Sequence, residues 1–217
     1  MAVNDSPELR SDLVEVMRAL SRAGLNHGAA GNASVRVEGG FLVTPTGVLP
    51  DELGADQIVK LDPDGEPEQT RWRPSSEWRF HRDIYRARPE VNAVVHVHSA
   101  HATALACARR EIPAFHYMIA VAGGDSVRCA PYAPFGTQAL SDLALTALAD
   151  RRACLLANHG MVALGTSLAT ALRLTTEVEE LARQYCLALQ AGGAVMLSAE
   201  EMNDVLERFK TYGQQPR

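Results

Sequence analysis

Two histidines at the end of an apolar run are the first candidates for a chemical role. Residues 93–98 have the sequence Ala-Val-Val-His-Val-His, so small and β-branched side chains lead into His96 and His98. Such a run is typical of a buried strand, and successive side chains of a strand point to opposite faces. His96 and His98 therefore project side by side from one face. Neutral imidazole is a good ligand for zinc, so the pair predicts part of a metal site.

A third histidine has the same setting. His159 follows the apolar residues 153–157, and Gly160 then lets the chain turn away. Three histidines would leave the fourth coordination position of zinc open, which is typical of a catalytic site. The alternative is that these are hydrogen-bonded core histidines, the commoner role of a lone histidine among apolar residues. His101 could compete with His159 as the third ligand, although a supporting role beside the site suits it better.

Composition is typical of a globular protein. The chain has 217 residues, 47% of them hydrophobic, which predicts one domain, 1–217, with a sizeable core. The net charge of −5 argues against partners such as nucleic acid or an anionic membrane. Four scattered cysteines, without a Cys-x-x-Cys pair, are typical of a reduced cytosolic protein. The sequence shows no signal-peptide pattern and no apolar stretch long enough to span a bilayer, so we predict a cytoplasmic location.

The elements that must position the histidines are alternating helices and strands. Apolar periodicity and capping residues predict helices at 6–22, from 74 onwards, and at 99–109, 137–150, 167–189 and 198–210. Strands are predicted at 35–37, 41–43, 58–61, 93–98 and 153–157, and two more, joined by a turn, within 112–137. This order predicts an α/β fold with a mixed or antiparallel central sheet flanked by helices.

Two segments near strand ends could bind an anion. Hydroxyls and amides around Thr46 and Gly47 could donate several hydrogen bonds to it. Asn32 follows the small residues 28–31, which would let the backbone approach a ligand closely. A plain glycine-rich turn is the simpler interpretation of that second segment.

The start of the second predicted helix could also hold a phosphate. Ser75 and Ser76 stand where first-turn amides are unpaired and the helix dipole favours negative charge. The simpler interpretation is that a serine caps the helix and Glu77 complements the dipole. That interpretation accounts for only one of the two serines.

Together these motifs resemble the class II aldolase/adducin family in order and spacing, and within it the branch that contains the fuculose-phosphate aldolases. The motifs that carry the resemblance are Gly31-Asn32-Ala33-Ser34, Thr46-Gly47, Ser75-Ser76-Glu77, His96-Val97-His98 and Asn158-His159-Gly160. Residues 74–85, 112–124, 129–137 and 208–213 are similar to that branch as well, so the resemblance covers essentially the whole chain.

The resemblance implies a fold, an assembly and a metal. The fold would be a single α/β domain with a mostly antiparallel central sheet flanked by helices, assembled as a homotetramer with active sites at subunit interfaces. One Zn²⁺ per subunit would be held by His96, His98 and His159. Glu77 would be the catalytic carboxylate and a further zinc ligand in the free enzyme. Tyr117, from a neighbouring subunit, would handle the proton at the C4 hydroxyl of the substrate.

The resemblance also implies how a small phosphorylated sugar would be held. The residues implied to bind its phosphate are Asn32, Thr46, Gly47, Ser75 and Ser76. Phe135 and Tyr212 would shape the pocket for the aldehyde half of the substrate.

The implied reaction is the reversible cleavage of a ketose 1-phosphate, of the L-fuculose 1-phosphate type, to dihydroxyacetone phosphate and a small aldehyde such as lactaldehyde. A close alternative is an aldolase for 5-deoxyribulose 1-phosphate or 5-methylthioribulose 1-phosphate, giving acetaldehyde or methylthio-acetaldehyde. A further alternative is a pentulose-5-phosphate 4-epimerase with similar zinc chemistry. A non-catalytic interaction protein, like the adducins, is disfavoured because those members typically lack the metal-binding set.

Overall fold

One sheet organises the chain in the computed structural model, which describes residues 3–68 and 70–211. The strands are β1 (Asn32–Val37), β2 (Gly40–Val43), β3 (Val59–Leu61), β4 (Ala93–Val97), β5 (Arg128–Ala130), β6 (Ala153–Leu156) and β7 (Gly160–Gly165). They form a seven-stranded sheet in the order β3-β2-β1-β4-β7-β6-β5. Neighbouring strands are antiparallel except β5 and β6, which are parallel. The prediction of a mostly antiparallel sheet is confirmed.

Helices cover both faces of the sheet. The α-helices are α1 (Pro7–Arg22), α2 (Trp78–Ala87), α3 (Ala100–Cys107), α4 (Gln138–Ala147), α5 (Leu168–Gln190) and α6 (Ala199–Phe209), and short 3₁₀ helices span Ala55–Gln57 and Tyr117–Ala122. One core cluster packs α1, α3, α5 and α6 on one face, and a second packs α2 and α4 on the other. Side chains of β4 alternate between these clusters, with Val95 and Val97 in the first and Val94 in the second. The described residues thus form an α/β domain, in which no helix combines the length and hydropathy needed to cross a membrane.

Local capping signals are confirmed at several helix starts. The hydroxyl of Ser6 accepts a hydrogen bond from the backbone N–H of Leu9 at 3.2 Å, and Pro7 occupies the first turn. Ser198 and Glu201 form a reciprocal capping box at the start of α6. These helices begin where side chains supply acceptors for otherwise unpaired N–H groups.

The prediction of two strands within residues 112–137 is wrong in its first half. Residues Tyr117–Ala122 form a 3₁₀ helix that the His116 side chain caps by accepting from the Met118 N–H at 3.1 Å. Gly123 ends the helix in the left-handed conformation, with φ at 92°. A short apolar run does not distinguish a strand from a buried helical turn, which is why the pattern misled. The second half does contain a strand, β5.

The start of α2 also differs from the simplest expectation. The helix begins at Trp78, and its N-cap is Glu77, which makes no side-chain capping bond. Ser75 instead accepts the N–H of Glu77 at 3.3 Å, while Ser76 is exposed. Neither serine is the helix N-cap. The interpretation that a serine caps this helix is therefore wrong.

An acidic side chain from α5 holds the turn between β4 and α3. Glu179 accepts the hydroxyl of Ser99 at 2.7 Å, the backbone N–H groups of His101 and Ala102 at 2.9 Å, and the His101 ring N–H at 2.8 Å. Such a carboxylate satisfies N–H groups that the first helical turn leaves unpaired and complements the helix dipole. The residues that follow His98 are therefore anchored to the long helix α5.

Replacing this carboxylate should destabilise the fold. We expect Glu179→Ala to lower the free energy of unfolding by about 2–3 kcal/mol, because the start of α3 loses a charged acceptor. Chemical denaturation measures the change. The matched control is Glu180→Ala, since Glu180 pairs with Arg183 at the surface and should contribute only about 0.5 kcal/mol or less. Equal losses in the two variants would contradict the anchoring role.

Candidate metal and substrate site

Three histidines from two neighbouring parts of the sheet converge on one point. His96 is the penultimate residue of β4, His98 follows the strand, and His159 lies in the tight turn between β6 and β7. The candidate ligand atoms of the three rings all lie within 4.8 Å of one another. The antiparallel pairing of β4 with β7 produces this arrangement, because it brings the end of β4 beside the turn that starts β7. The three histidines form a potential metal site.

The turn that carries His159 depends on two special residues. Asn158 adopts the left-handed conformation, with φ at 56°, which asparagine tolerates better than most residues. A Cβ atom at Gly160 would lie 2.4 Å from the Val97 carbonyl oxygen and 2.8 Å from the His98 ring. Only a glycine at this position allows the backbone to approach the histidine cluster so closely.

The ring of His96 is oriented to offer one nitrogen lone pair. Its Nδ1 lies 2.8 Å from the carbonyl oxygen of Met161, and a carbonyl can only accept, so Nδ1 carries the proton. Nε2 is then unprotonated, and it lies 2.9 Å from Nε2 of His98. This orientation by a backbone carbonyl is the usual arrangement of a metal-binding histidine.

Burial keeps the three imidazoles neutral. Burial, with a smaller effect of neighbouring His98, lowers the pKa of His96 to about 3. Burial, reinforced by His96, lowers the pKa of His159 to about 4, and burial likewise lowers the pKa of His98. Neutral imidazole is the form that binds a metal, so protons compete little for these nitrogens near neutral pH.

Glu77 completes the donor set. Its Oε2 lies 3.2 Å from Nε2 of His96, and its Oε1 lies 3.3 Å from Nε2 of His159. Oε1 is buried, yet within the described part of the chain it has no hydrogen-bond partner. A buried carboxylate oxygen without a partner is costly unless a cation or a ligand compensates it. Three neutral nitrogens and one such oxygen match the donors that zinc prefers.

A cleft of about 330 Å³ opens beside the cluster. Its lining includes most of the residues singled out from the sequence, namely Asn32, Thr46, Gly47, Ser75, Ser76, Glu77, His98, Phe135 and His159. His96 is fully buried behind the others. Among the described residues, the lining contains no lysine or arginine, so an anion in this cleft would be bound by hydroxyl and amide groups.

One wall of the cleft comes from residues 132–136, the segment before α4. Of its aromatic residues, only Phe135 was predicted from the sequence to belong to the site. Tyr132 lines the cleft together with Phe135, and both rings are largely exposed. Arg79 donates to the Gly136 carbonyl oxygen at 2.8 Å, and a Cβ at Gly136 would lie 2.8 Å from the Ser76 carbonyl oxygen. This segment is therefore held against the serines. Its family-like sequence was the signal that could have identified Tyr132.

One further candidate lies elsewhere. Tyr117 is on the 3₁₀ helix, is 49% exposed, and does not line the cleft of its own chain. Its ring stacks on His116 with centroids 4.8 Å apart. Tyr212 lies outside the described residues. His101 does not join the cluster, because its ring bonds to Glu179.

Removing one ligand should abolish tight metal binding. We expect His96→Ala to weaken zinc binding by more than the roughly 10- to 100-fold that is typical for loss of a hydrogen-bond partner of a ligand. Competition with a chromophoric chelator measures the affinity. His101→Gln is the control and should bind zinc like the wild type. Stoichiometric, tight zinc in the His96 variant would show that the ligand set is wrong.

Comparison with known proteins agrees with this geometry. Residues 11–186 match the family described as "Class II Aldolase and Adducin N-terminal domain". A 5-methylthioribulose-1-phosphate/5-deoxyribulose-1-phosphate aldolase from Rhodospirillum rubrum is 52% identical over 205 residues, covering 94% of this chain and 92% of that protein. An L-fuculose phosphate aldolase from Escherichia coli K12 is 48% identical over 207 residues, covering 95% and 96%.

A solved structure gives the same result at the level of the fold. The structure of an L-fuculose 1-phosphate aldolase superposes with a TM-score of 0.92 at 40% identity, covering 95% of this chain and 98% of that one. Similarity of this extent, along nearly the whole length of each protein, marks the chain as an aldolase, that is, an aldehyde-lyase. The chain belongs to the class II aldolase/adducin family.

Proposed function

We propose that this protein is a zinc-dependent aldolase that reversibly cleaves a ketose 1-phosphate to dihydroxyacetone phosphate and a small aldehyde. The observation that carries the proposal is the cluster of His96, His98 and His159, with Glu77 beside two of them. The buried Oε1 of Glu77 has no hydrogen-bond partner among the described residues. A substrate in the adjoining cleft would lie directly against these groups.

The four converging side chains would hold one Zn²⁺ per subunit, with Glu77 as a ligand only in the free enzyme. When bound, the metal supplies a Lewis acid that stabilises negative charge developing on substrate oxygens, so no lysine Schiff base is needed. The three histidines are neutral and oriented for this role. They take no part in proton transfer.

Glu77 would act as the general acid/base at C3 of the substrate. Asn32 donates to its Oε2 at 3.0 Å, which leaves Oε1 available to exchange a proton with the substrate. A positioned carboxylate of this kind typically contributes about 10²- to 10⁴-fold to the rate.

The substrate phosphate would be bound by uncharged groups at one end of the cleft. We propose for this role Asn32, Thr46, Gly47, Ser75 and Ser76, all of which line it. Ser76 is exposed and lines the cleft, so its hydroxyl can donate to an anion there. Several such donors around one phosphate can replace a basic side chain.

Assembly of subunits would add a further catalytic residue to the site. We propose a homotetramer with interfacial sites, in which Tyr117 of one subunit reaches the cleft of its neighbour and handles the proton at the C4 hydroxyl. Its exposure supports this role, as does the fact that it does not line the cleft of its own chain. A phenol suits it because it both donates and accepts. Phe135 and Tyr212 would shape the aldehyde pocket, and the enzyme would work in the cytoplasm.

Two substrate classes are supported by specific observations. L-fuculose 1-phosphate matches the relative from E. coli and the solved structure. 5-Deoxyribulose 1-phosphate and 5-methylthioribulose 1-phosphate match the relative from R. rubrum, and the exposed rings of Tyr132 and Phe135 would suit their apolar ends. The two classes differ only in the aldehyde half.

The substrate assay tests the reaction directly. Zinc-loaded protein is incubated separately with the three ketose 1-phosphates, and release of dihydroxyacetone phosphate is followed with a coupled reductase. We expect release from at least one substrate, and we expect a chelator to abolish it. If metal-loaded protein released none from any substrate, the proposal would fail and an epimerase reaction would become the leading hypothesis.

The role of Glu77 is tested by a change that keeps its shape. We expect Glu77→Gln to retain zinc and to lose about 10²- to 10⁴-fold in kcat, because the amide cannot exchange the proton. Zinc content and steady-state kinetics are measured on the same preparation. A variant that stayed nearly fully active would remove Glu77 from the mechanism.

A further inference from the structure

A buried row of polar side chains joins β1 to α2 behind the site. Asn32 and Ser34 lie two residues apart on one face of β1, and Glu77, His81 and Tyr85 follow one another at intervals of four along one face of α2 and its N-cap. All five side chains belong to residues that are at most 6% exposed. Buried polar groups need hydrogen-bond partners. Here the partners alternate between residues of α2 and residues of β1.

The hydrogen bonds in this row are short and continuous. Tyr85 Oη lies 2.7 Å from Ser34 Oγ, and Ser34 Oγ lies 2.6 Å from His81 Nδ1. His81 Nε2 lies 2.6 Å from Asn32 Oδ1, and Asn32 Nδ2 lies 3.0 Å from Glu77 Oε2. The row therefore ends on the carboxylate that faces the histidine cluster.

The carboxylate at one end determines the direction of every bond. An ionised carboxylate only accepts, so Asn32 must present its NH₂ group to Glu77 and its Oδ1 to His81. His81 must then donate from Nε2 and accept at Nδ1 from Ser34, whose oxygen accepts from Tyr85. Burial holds the pKa of His81 well below its usual value, so the ring is neutral and has a single N–H to place.

The amide of Asn32 has two orientations, and only one of them suits Glu77. In the other, Oδ1 would face the carboxylate oxygen, and two acceptors would repel each other. The N–H of His81 selects the suitable orientation because it can bond only to Oδ1. Loss of that N–H would release Asn32 and, through it, the Glu77 carboxylate.

We infer that His81 is a positioning residue of the proposed reaction, which fixes the Asn32 amide so that Glu77 is held by Oε2 and keeps Oε1 directed at the histidine cluster. The expected effect on kcat rests on the proposed function, whereas the hydrogen-bonded arrangement does not. Neither His81, Ser34 nor Tyr85 lines the cleft, so each acts through another side chain.

Two substitutions at His81 separate positioning from packing. We expect His81→Leu to lower kcat by about 10²-fold, the scale of a misplaced catalytic group, with KM nearly unchanged and zinc retained. His81→Gln can still donate an N–H to Asn32 and should recover most of the activity. If the two variants lost activity equally, the donated hydrogen bond would not be the cause and the inference would fail.

A double-mutant comparison excludes a merely structural role. In the Glu77→Gln background, His81→Leu should cause no further fall in residual kcat, because the group that it positions no longer functions. A fall of similar size in both backgrounds would overturn the inference.

A matched pair of tyrosines tests the far end of the row. Tyr85→Phe should lower kcat measurably, whereas Tyr185→Phe should leave it unchanged. Tyr185 is equally buried, but it packs against Phe115 on the other face of the sheet. Equal effects of the two variants would contradict the inference.

Nitrogen NMR of ¹⁵N-histidine-labelled protein tests the geometry without turnover. The His81 signals, assigned by their loss in His81→Gln, should show a protonated Nε2 and an unprotonated Nδ1 in the zinc-loaded wild type. Suppose that the protein shows the predicted tautomer but cleaves none of the three substrates. The proposed reaction would then be wrong, whereas the positioning of Glu77 by His81 would still be supported. The opposite tautomer would overturn the positioning, whatever the activity.

Discussion

The structure depends on one electrostatic constraint: a carboxylate and three imidazoles share a small buried volume. A buried carboxylate is costly unless each oxygen is compensated, and buried imidazoles must remain neutral. The protein meets the second requirement by burial itself, which lowers the pKa of His96 to about 3. It meets the first for only one oxygen of Glu77, which Asn32 binds. The other oxygen, Oε1, lies near His159 and has no hydrogen bond within the described residues, and a divalent metal is the proposed compensation.

Neighbouring elements are arranged around this constraint. Asn32 lies opposite His96 in the antiparallel register of β1 and β4, so the group that holds Glu77 comes from the strand adjacent to the histidines. Helix α2 supplies Glu77 at its N-cap and places His81 one turn later behind Asn32. On the opposite face, Glu179 holds the turn after His98. Elements on both faces of the sheet thus position the groups of the site.

The cleft beside the histidine cluster is lined by two kinds of groups, polar and aromatic. Part of the lining offers hydroxyl and amide groups, and the described residues that line the cleft include no lysine or arginine, which suits an anion bound by many weak donors. The segment before α4 adds the exposed rings of Tyr132 and Phe135. Relatives named for different ketose phosphates are about equally similar to this chain, at 52% and 48% identity.

The three histidines of the potential metal site and most of the helices and strands could be predicted from the sequence. The spacing of His96 and His98 on an apolar run predicts a strand with both rings on one face, and caps such as Ser6 and Ser198 mark helix starts, because these signals act over a few residues. The order of the motifs predicts the family.

Only the tertiary structure decided which groups meet. The pairing of β4 with β7 brings His159 rather than His101 to the cluster, and the packing of α2 on β1 puts His81 behind Asn32. The strand predicted around Tyr117 is a 3₁₀ helix, because a short apolar run is compatible with either form until its partners are known. Contacts between residues far apart in the chain are made by the whole fold, and local patterns do not encode them.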